Sequence, residues 1–309
     1  MTPNRALICL ASLTALYPLS AGAQAISYNT GGLGTVADGV NAGGVILDQP
    51  GALAAVDDYS SQYATGSNTA VPFRPELNPP ASSPFTIEFW ARPTAMDGDD
   101  APIGNRLGGG GNRSGWVFFQ RGEAVGWNFR MYNGNSSGLG WDITGGTATL
   151  NAWSHVVVVW NGSSASLHVN GQAIPAANAG NGVYNPNTTE SFYVGALIGG
   201  GSPSTGDIDE VAYYPSALTP AQILNHYNLA SSTRIGAYSS TVLADGAILY
   251  LQQNPPSTTI TAMSPSPVIK FTGVLSKSTD LEHWTDVLVP SPYTVPADEP
   301  KTLFFRSHR

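Results

Sequence analysis

Short stretches in which apolar and polar residues alternate recur along most of this chain, and turns rich in glycine and asparagine separate them. In FTIEFWAR, residues 85–92, Phe85 and Ile87 alternate with Thr86 and Glu88. A two-residue period is that of a β-strand with one face toward a core. Many short strands of this kind, joined by such turns, predict an all-β sandwich or jelly roll.

Three local motifs add detail to this prediction. HVVVVW, residues 155–160, is apolar after its histidine, as expected of a central strand that is covered on both faces. Asn170 and Gly171 separate two short alternating runs, which predicts a hairpin with a type I′ turn. Thr219 and Gln222 have the spacing of a capping box, so a short helix is expected to begin there.

Residues 1–25 have the pattern of a secretory signal peptide. Arg5 gives a positive start, ALICLASLTALYPLSA is apolar, and an A-x-A cleavage site ends at Ala25. The single cysteine, Cys9, lies inside this segment, so the mature chain is expected to have neither disulfides nor cysteine-ligated metals. No later apolar run approaches the about 20 residues that a membrane helix needs. These features predict an exported protein, extracellular or periplasmic, without membrane insertion.

The charge of the chain argues against two classes of partner. Charged residues make up 11% of the sequence, and the net charge is −8. The lysines, Lys270, Lys277 and Lys301, all lie near the C-terminus. Because nucleic acids and anionic membranes are bound chiefly through lysine and arginine, neither is an expected partner.

The strand pattern changes after the short helix. Residues 233–254 begin with small polar residues and are predicted to be a linker with one candidate strand, VLADGAILYLQ. The stretch NPPSTTITAMSPSP is rich in proline and serine and leads into residues 255–309. We expect these last residues to form a small C-terminal β-sandwich-like module.

The stretch from about residue 83 to residue 228 resembles the laminin-G-like, concanavalin A-like jelly-roll domains of bacterial secreted proteins. The motifs that carry this resemblance are FTIEFWARP (85–93), GWVFFQR (115–121), WSHVVVVWNG (153–162), LHVNGQ (167–172), FYVGA (192–196) and GDIDEVAYYPSALTPAQILNHYN (206–228). The resemblance implies a jelly roll over residues 26–232, a fold that hosts lectins, adhesion modules and hydrolases alike. Within residues 255–309, LSKSTDLEHWTDV resembles a short accessory β module of exported bacterial proteins.

Three carboxylates in one predicted strand raise the question of catalysis. A retaining glycosidase needs two carboxyl groups about 5 Å apart that face the sugar. Regular alternation puts Asp207 and Asp209 on one face, followed there by Val211 and Tyr213, and places Glu210 on the other. The E-x-D-x-E pattern of jelly-roll glucanases is therefore incomplete, which argues against this reaction.

The resemblance gives Asp209 a different role. In related jelly rolls, an aspartate before a Val-x-Tyr run ligates a structural calcium ion, and Asp209 occupies that position. Calcium takes six to eight oxygen ligands, so carbonyls and water would complete the site. The alternative is that Asp209 accepts hydrogen bonds from turn amides without any ion, and the sequence leaves both interpretations open.

Aromatic residues are the main candidates for ligand contact, because sugars stack on rings while neighbouring polar groups bind their hydroxyls. The predicted ligand-binding residues are Trp90, Trp116, Tyr132, Trp141, Glu88 and Arg92. The alternative is that individual rings pack in the interior, as tryptophan usually does. Trp127, Trp153 and Trp160 are expected in the core.

Together these features predict an exported, non-catalytic protein that binds a polysaccharide or a cell-surface glycan. One alternative is a structural or adhesive module that recognises a protein or another cell. A second is a glycan-active hydrolase or lyase, for which Glu88, Asp142 and Glu123 are the first carboxylates to test. His155 is expected to make a structural hydrogen bond, since its motif contains no nucleophile or acid.

Overall fold

In the computed structural model, the described residues are 25–55, 58–96, 98–108, 112–135, 138–234 and 236–253, together with residue 283 and five strands of the C-terminal part. The chain forms two compact units, residues 1–255 and residues 256–309. The predicted signal peptide lies outside the described residues, apart from its last residue.

The described residues of the first unit form sixteen strands and two α-helices. The strands are β1 (Ile26–Ser27), β2 (Gly39–Ala42), β3 (Ile46–Pro50), β4 (Tyr59–Tyr63), β5 (Asn68–Val71), β6 (Phe85–Pro93), β7 (Ile103–Gly104), β8 (Trp116–Gln120), β9 (Trp127–Tyr132), β10 (Leu139–Gly145), β11 (Ser154–Trp160), β12 (Ala165–Val169), β13 (Gln172–Ala173), β14 (Phe192–Val194), β15 (Gly206–Tyr214) and β16 (Leu249–Leu251). The helices are α1 (Pro220–Leu229) and α2 (Ala237–Ala244), and short 3-10 helices occupy Gly34–Ala37, Pro75–Leu77 and Ile198–Gly200.

The strands form two antiparallel sheets, which confirms the predicted jelly-roll sandwich. The first sheet has the order β1-β2-β5-β14-β7-β8-β9-β10, and the second has the order β13-β12-β11-β6-β15-β4-β3, with β16 also paired to β15. The apolar run HVVVVW lies in β11, between β12 and β6, as predicted for a central strand. Asn170 and Gly171 have φ angles of 51° and 74°, which is the backbone of the predicted type I′ turn.

The main core lies between the two sheets and is built from the inward residues of the alternating strands. Phe89 of β6 meets Phe118 of β8 edge to face, with ring centroids 5.0 Å apart. Trp127 and Trp160 belong to this core, as expected. Trp153 does not, because it is half-buried against the outer face of the second sheet.

A second hydrophobic cluster covers the outer face of the second sheet, here called the helix-covered face. Helix α1 begins with the predicted capping box, in which Gln222 N donates to Thr219 Oγ1 and Thr219 N donates to Gln222 Oε1. Together α1 and α2 bury the residues that β6, β11, β15 and β16 turn outward. The cluster contains Trp90, Val157, Ala212, Tyr214, Tyr250, Ile223, Tyr238 and Val242.

Residues 233–254 therefore do not form the predicted linker, because α2 and β16 are part of the jelly-roll unit. Tyr238 and Val242 lie four positions apart on α2, so both point to the sheet while the serines between them remain on other sides. Strand β16 pairs with β15, with Leu251 opposite Val211. The candidate strand VLADGAILYLQ is present only in part, because Leu249–Leu251 forms β16 whereas residues 242–244 belong to α2.

A β-bulge in β15 changes which side chains share a face. Asp209 lies opposite Trp90 while Ala212 lies opposite Glu88, so three steps along β15 match two along β6. Glu210 takes up the extra residue with a φ of 51°, an unusual backbone for a non-glycine residue. Regular alternation was expected to place Glu210 on the face opposite to Asp209. The bulge instead keeps both carboxylates on the outer side.

The C-terminal unit has five described strands: β17 (Val268–Ile269), β18 (Val274–Ser278), β19 (Thr285–Val287), β20 (Tyr293–Thr294) and β21 (Phe304–His308). They form two small antiparallel sheets, β17-β20 and β19-β18-β21. Ser276 Oγ of β18 donates to Asp286 Oδ1 of β19 at 2.7 Å. Within the described residues, every helix lacks the length and apolar character needed to span a lipid bilayer.

Candidate functional site

Three buried carboxylates form the candidate metal centre: Asp58, Asp209 and Glu210. One carboxylate oxygen of each lies within 4.8 Å of the corresponding oxygens of the other two. Asp58 precedes β4, which pairs with the first part of β15. The bulge supplies the third member, since it places Glu210 beside Asp209.

The loop before β4 closes over this centre through its backbone. Ala52 N donates to Asp209 Oδ2 at 2.9 Å, and Leu53 N donates to Asp58 Oδ2 at 2.7 Å. Gly51 lies so close to the centre that a Cβ there would overlap Asp58 Oδ2. The loop and two strands are thus held by the same carboxylates.

Glu210 has one carboxylate oxygen without a partner. Its Oε2 accepts a hydrogen bond from Tyr250 of β16, whereas its Oε1 is buried and unpaired within the described part of the chain. Leaving a buried charged acceptor unsatisfied costs more than about 1–3 kcal/mol. Either a proton shared with a neighbouring carboxyl group or a cation would satisfy this atom.

The pKa shifts of these carboxylates reflect their burial close to one another. Burial raises the pKa of Asp209 well above its ordinary value, and the neighbouring charges of Glu210 and Asp58 raise it further. Burial also raises the pKa of Glu210, followed by the charge of Asp58. Two states relieve this repulsion: protonated carboxyl groups, or a cation between the carboxylates.

The donor set suits a hard cation. It offers carboxylate oxygens without nitrogen or sulfur, the chemistry of Ca²⁺ rather than of Zn²⁺ or copper. The sequence pointed to Asp209 alone and missed the other two members. Glu210 was placed on the face opposite to Asp209, because a bulge at a non-glycine residue has no sequence signature. Asp58 is distant in sequence, and its only signal is its position just before an alternating run.

A second cluster surrounds Glu88 on the helix-covered face. Its carboxylate is fully buried and is satisfied by four side chains from two strands and two helices. Oε1 accepts from Tyr238 Oη and lies 2.7 Å from His155 Nε2, while Oε2 accepts from Tyr214 Oη at 2.7 Å and lies 2.9 Å from His226 Nδ1. His226 Nε2 in turn lies 2.9 Å from Asp245 Oδ2.

In this cluster, the opposite charges of Glu88 and His226 shift each other's pKa. Burial alone would raise the pKa of Glu88, but the charge of His226 and hydrogen bonds from His155 and His226 hold that pKa well below its ordinary value. Burial lowers the pKa of His226, yet Glu88 and Asp245 raise it more, so the net shift is upward. Glu88 is thus a paired structural carboxylate, and its hydrogen bond with His155 is the structural role predicted for that histidine.

The structure buries four of the predicted aromatic and acidic ligand contacts beneath other side chains: Trp90, Trp116, Tyr132 and Glu88. Trp90 is 4% exposed, and its Nε1 donates to Tyr238 Oη at 3.0 Å. Trp116 lies in the inter-sheet core, and Glu88 has no exposed surface. Trp116 lies on the first sheet and points inward, where the second sheet covers it, and the helices cover the outer face of the second sheet, where polar neighbours suggested solvent. The structure therefore leaves Trp90, Trp116 and Glu88 no surface for the predicted ligand contact.

The other predicted contacts are dispersed. Trp141 is half-buried and meets Trp160 edge to face at 5.6 Å. Arg92 forms an ion pair with buried Asp207 at 2.7 Å. Tyr132 lies on the opposite side of the sandwich, on the outer face of the first sheet. The six residues therefore do not form one ligand surface.

The outer face of the first sheet is here called the arginine face. Its small hydrophobic cluster, Ala101, Val117, Phe119, Tyr132 and Leu197, contains no described residue of α1 or α2. Guanidinium groups cover its rings instead: Arg106 and Arg113 over Tyr132, and Arg121 and Arg130 over Phe119. Beside them, Asp142 Oδ1 accepts from Asn128 Nδ2 at 2.6 Å and pairs with Arg130 at 3.3 Å.

Comparison with known protein structures finds similar jelly-roll proteins at low identity. The binding domain of botulinum neurotoxin DC, solved in complex with SialylT, is 12% identical with a TM-score of 0.48, over 82% of this chain and 57% of that one. A sialidase from Trypanosoma rangeli is 17% identical with a TM-score of 0.46, over 67% of this chain and 32% of that one. A pentraxin from Limulus polyphemus is 13% identical with a TM-score of 0.40, over 56% and 78%. The matched part is thus about a third of the sialidase.

Comparison at the level of families gives a direct assignment. No curated protein matches the chain. Residues 65–224, about half of the sequence, match a laminin G family model described as the concanavalin A-like lectin/glucanases superfamily. The matched range includes both the predicted motifs and the bulged strand β15. The chain belongs to the laminin-G-like branch of the concanavalin A-like lectin and glucanase superfamily.

Proposed function

We propose that this chain is an exported, non-catalytic binding protein that recognises a polysaccharide or a cell-surface glycan. The pattern of residues 1–25 supports export. Membership of a superfamily that includes lectins supports glycan recognition. The observation that carries the proposal is the difference between the two outer faces of the sandwich.

The arginine face is the one that α1 and α2 leave uncovered. Its rings, Phe119 and Tyr132, are buried beneath guanidinium groups, and Asp142 is held in place by buried Asn128. Guanidinium and carboxylate groups that are fixed in this way suit the hydroxyl and acidic groups of a glycan. We assign ligand binding to this face.

The placement of the candidate catalytic carboxylates supports a non-catalytic role. Glu88 is sealed beneath α1 and α2. Glu123 is exposed and accepts a hydrogen bond from Leu150 N at 3.0 Å. Asp142 is bound to Asn128 and Arg130. None of these three faces a second carboxylate across a cleft in the described residues, the arrangement that glycoside hydrolysis needs.

We further propose that Asp58, Asp209 and Glu210 hold a calcium ion that braces the fold. Three carboxylates can supply up to about six of the oxygens that calcium prefers. The buried unpaired Oε1 of Glu210 supports this assignment. An ion there would tie the loop before β4 to β15 and, through Tyr250, to β16.

The test is binding of the purified mature protein to a panel of plant, algal and bacterial polysaccharides, with calcium and with a chelator, while released reducing sugar is assayed. Binding without sugar release is expected. Release of sugar would show an enzyme and contradict the proposal. An absence of binding across the panel would favour the adhesive alternative, which a screen against cell-surface proteins would then examine.

A further inference from the structure

The arginines of this acidic protein are unevenly placed. The net charge is −8, yet four arginines surround the two rings of the arginine face. Two of them have acidic partners: Arg121 pairs with Asp99 at 2.7 Å, and Arg130 pairs with Asp142 at 3.3 Å.

Arg106 and Arg113 differ from this pair. Their guanidinium carbons lie 6.0 and 5.8 Å from the centre of the Tyr132 ring. Neither forms an ion pair or a side-chain hydrogen bond with any described residue, and the Nε of each is buried and unpartnered. Two half-buried cations thus lie over one aromatic ring, and neither is within ion-pair distance of a carboxylate among the described residues.

The backbone fixes this arrangement. Leu107 and Ser114 exchange two hydrogen bonds, 3.0 and 3.2 Å, so Arg106 and Arg113 extend from facing segments of one hairpin. Gly134 N donates to Arg113 O at 2.9 Å, which ties the second segment to the strand that carries Tyr132. A planar guanidinium that stacks on a ring keeps its in-plane N–H groups free for an anion.

We infer that Arg106 and Arg113, which both lie over the Tyr132 ring, form an anion-binding subsite for the carboxylate or sulfate groups of an acidic polysaccharide. This inference rests on the proposed function and narrows its ligand class. Guanidinium groups match both anions through paired hydrogen bonds. A glycan is favoured over a nucleic acid because the family model that matches this chain belongs to a superfamily that includes lectins.

The experiment measures the affinity of the full chain for polygalacturonate, which carries carboxylates, for dextran sulfate, and for uncharged dextran, by calorimetry at low and high salt. The wild type is expected to bind at least one of the acidic polymers more tightly than dextran, and less tightly as salt rises. The double variant R106Q/R113Q should bind that polymer at least about tenfold more weakly, because each charge-assisted hydrogen bond contributes on the order of a tenfold change in affinity.

Arg234 provides the matched control. It is exposed and lies between α1 and α2, away from the arginine face. The variant R234Q changes the net charge by one unit and should alter affinity less than about twofold. R106K/R113K keeps the charge but loses the planar fork, so an intermediate affinity is expected. Thermal unfolding of each variant checks that the fold is retained. If the double variant does not fold, the single variants R106Q and R113Q replace it.

The outcomes separate this inference from the proposed function. Binding to neutral dextran with no preference for acidic polymers would overturn the anion subsite and leave glycan binding intact. Unchanged affinity in R106Q/R113Q, or an equal loss in R234Q, would also overturn it. Tighter binding to single-stranded DNA than to either acidic polymer would assign the subsite to another ligand class. Failure to bind any of the three polysaccharides would count against both.

Discussion

The two outer faces of the sandwich differ in whether their charged side chains have partners within the protein. On the helix-covered face, Glu88 has lost all contact with water, and both of its carboxylate oxygens are satisfied by histidine and tyrosine side chains. On the arginine face, Arg106 and Arg113 are half-buried, and the Nε of each has no partner among the described residues. A buried charge must be matched within the protein, whereas an unmatched charge at a surface is available to a ligand. The comparison separates a structural side from the side to which the proposed function assigns binding.

The strongest test of this division removes the carboxylate of Glu88. E88A should lower the free energy of unfolding by about 3–5 kcal/mol, because it leaves a protonated histidine and two tyrosine hydroxyls buried without their partner. Chemical denaturation measures the change. E76Q, at an exposed site, is the control and should stay within about 0.5 kcal/mol of the wild type. A loss of less than about 1 kcal/mol would show that the helix-covered face does not depend on charge pairing.

The next test adds calcium to the purified protein. Calcium at about 100 times its Kd should raise the free energy of unfolding by about 2.7 kcal/mol, and the melting temperature should rise with it. D209N and E210Q should abolish this gain, because each removes a charged ligand. D48N, an exposed change of the same charge, is the control. Equal stabilisation of the wild type and both site variants would contradict the assignment of the metal centre.

The pH dependence of the free energy of unfolding tests whether Glu88 and His226 are charged in the folded protein. The lowered pKa of Glu88 makes its contribution complete above about pH 4.5 and lost as the pH falls through the folded value. The raised pKa of His226 makes its contribution complete below about pH 6.5 and lost as the pH rises through the folded value. The wild type should therefore exceed H226Q most between about pH 4.5 and pH 6.5.

This advantage over H226Q is measured by denaturation at several pH values. Above about pH 6.5 the unfolded chain loses the imidazole proton that the folded protein keeps, so the advantage should shrink by up to roughly 1.4 kcal/mol per pH unit until the folded pKa is passed. A difference that stays constant from about pH 5 to about pH 9 would mean that His226 is not charged in the folded protein.

The smallest effect is expected on the arginine face, where the variant D99N should change the affinity for the acidic polysaccharide. D99N frees Arg121 from its ion pair, so the arginine face gains a third uncompensated cation. Affinity for the acidic polysaccharide should rise by up to about fivefold, since Asp99 is exposed and such pairs contribute at most about 1 kcal/mol. Calorimetry with D99N and with D48N, which removes a charge elsewhere, separates a local effect from a change in net charge. Equal gains in both variants would assign the effect to net charge alone.

The sequence predicted the sandwich because local patterns specify it. Alternation placed Phe85 and Ile87 in the core, and the capping box at Thr219 marked the start of α1. It did not predict α2, because the segment AYSSTVLA is short and its larger apolar residues, Tyr238, Val242 and Leu243, show little periodicity.

Without α2, the face that carries Glu88 and Trp90 was expected to meet solvent. The bulge at Glu210 was also missed, since its left-handed backbone is imposed by tertiary pairing and not by a glycine. Both errors concern long-range packing, and both altered the candidate site more than the fold.

The position of α2 and β16 at the end of the first unit has a consequence for synthesis. Trp90 and Glu88 bond to Tyr238, which follows them in the chain by 148 and 150 residues. A ribosome adds about 5–20 residues per second, so these side chains wait for several seconds before their partners exist. During that interval the second sheet has an apolar surface without α2, and Glu88 lacks one of its four partners. The late helix thus delays closure of this surface until the whole jelly roll has been made, a delay that would keep the chain unfolded for the proposed export.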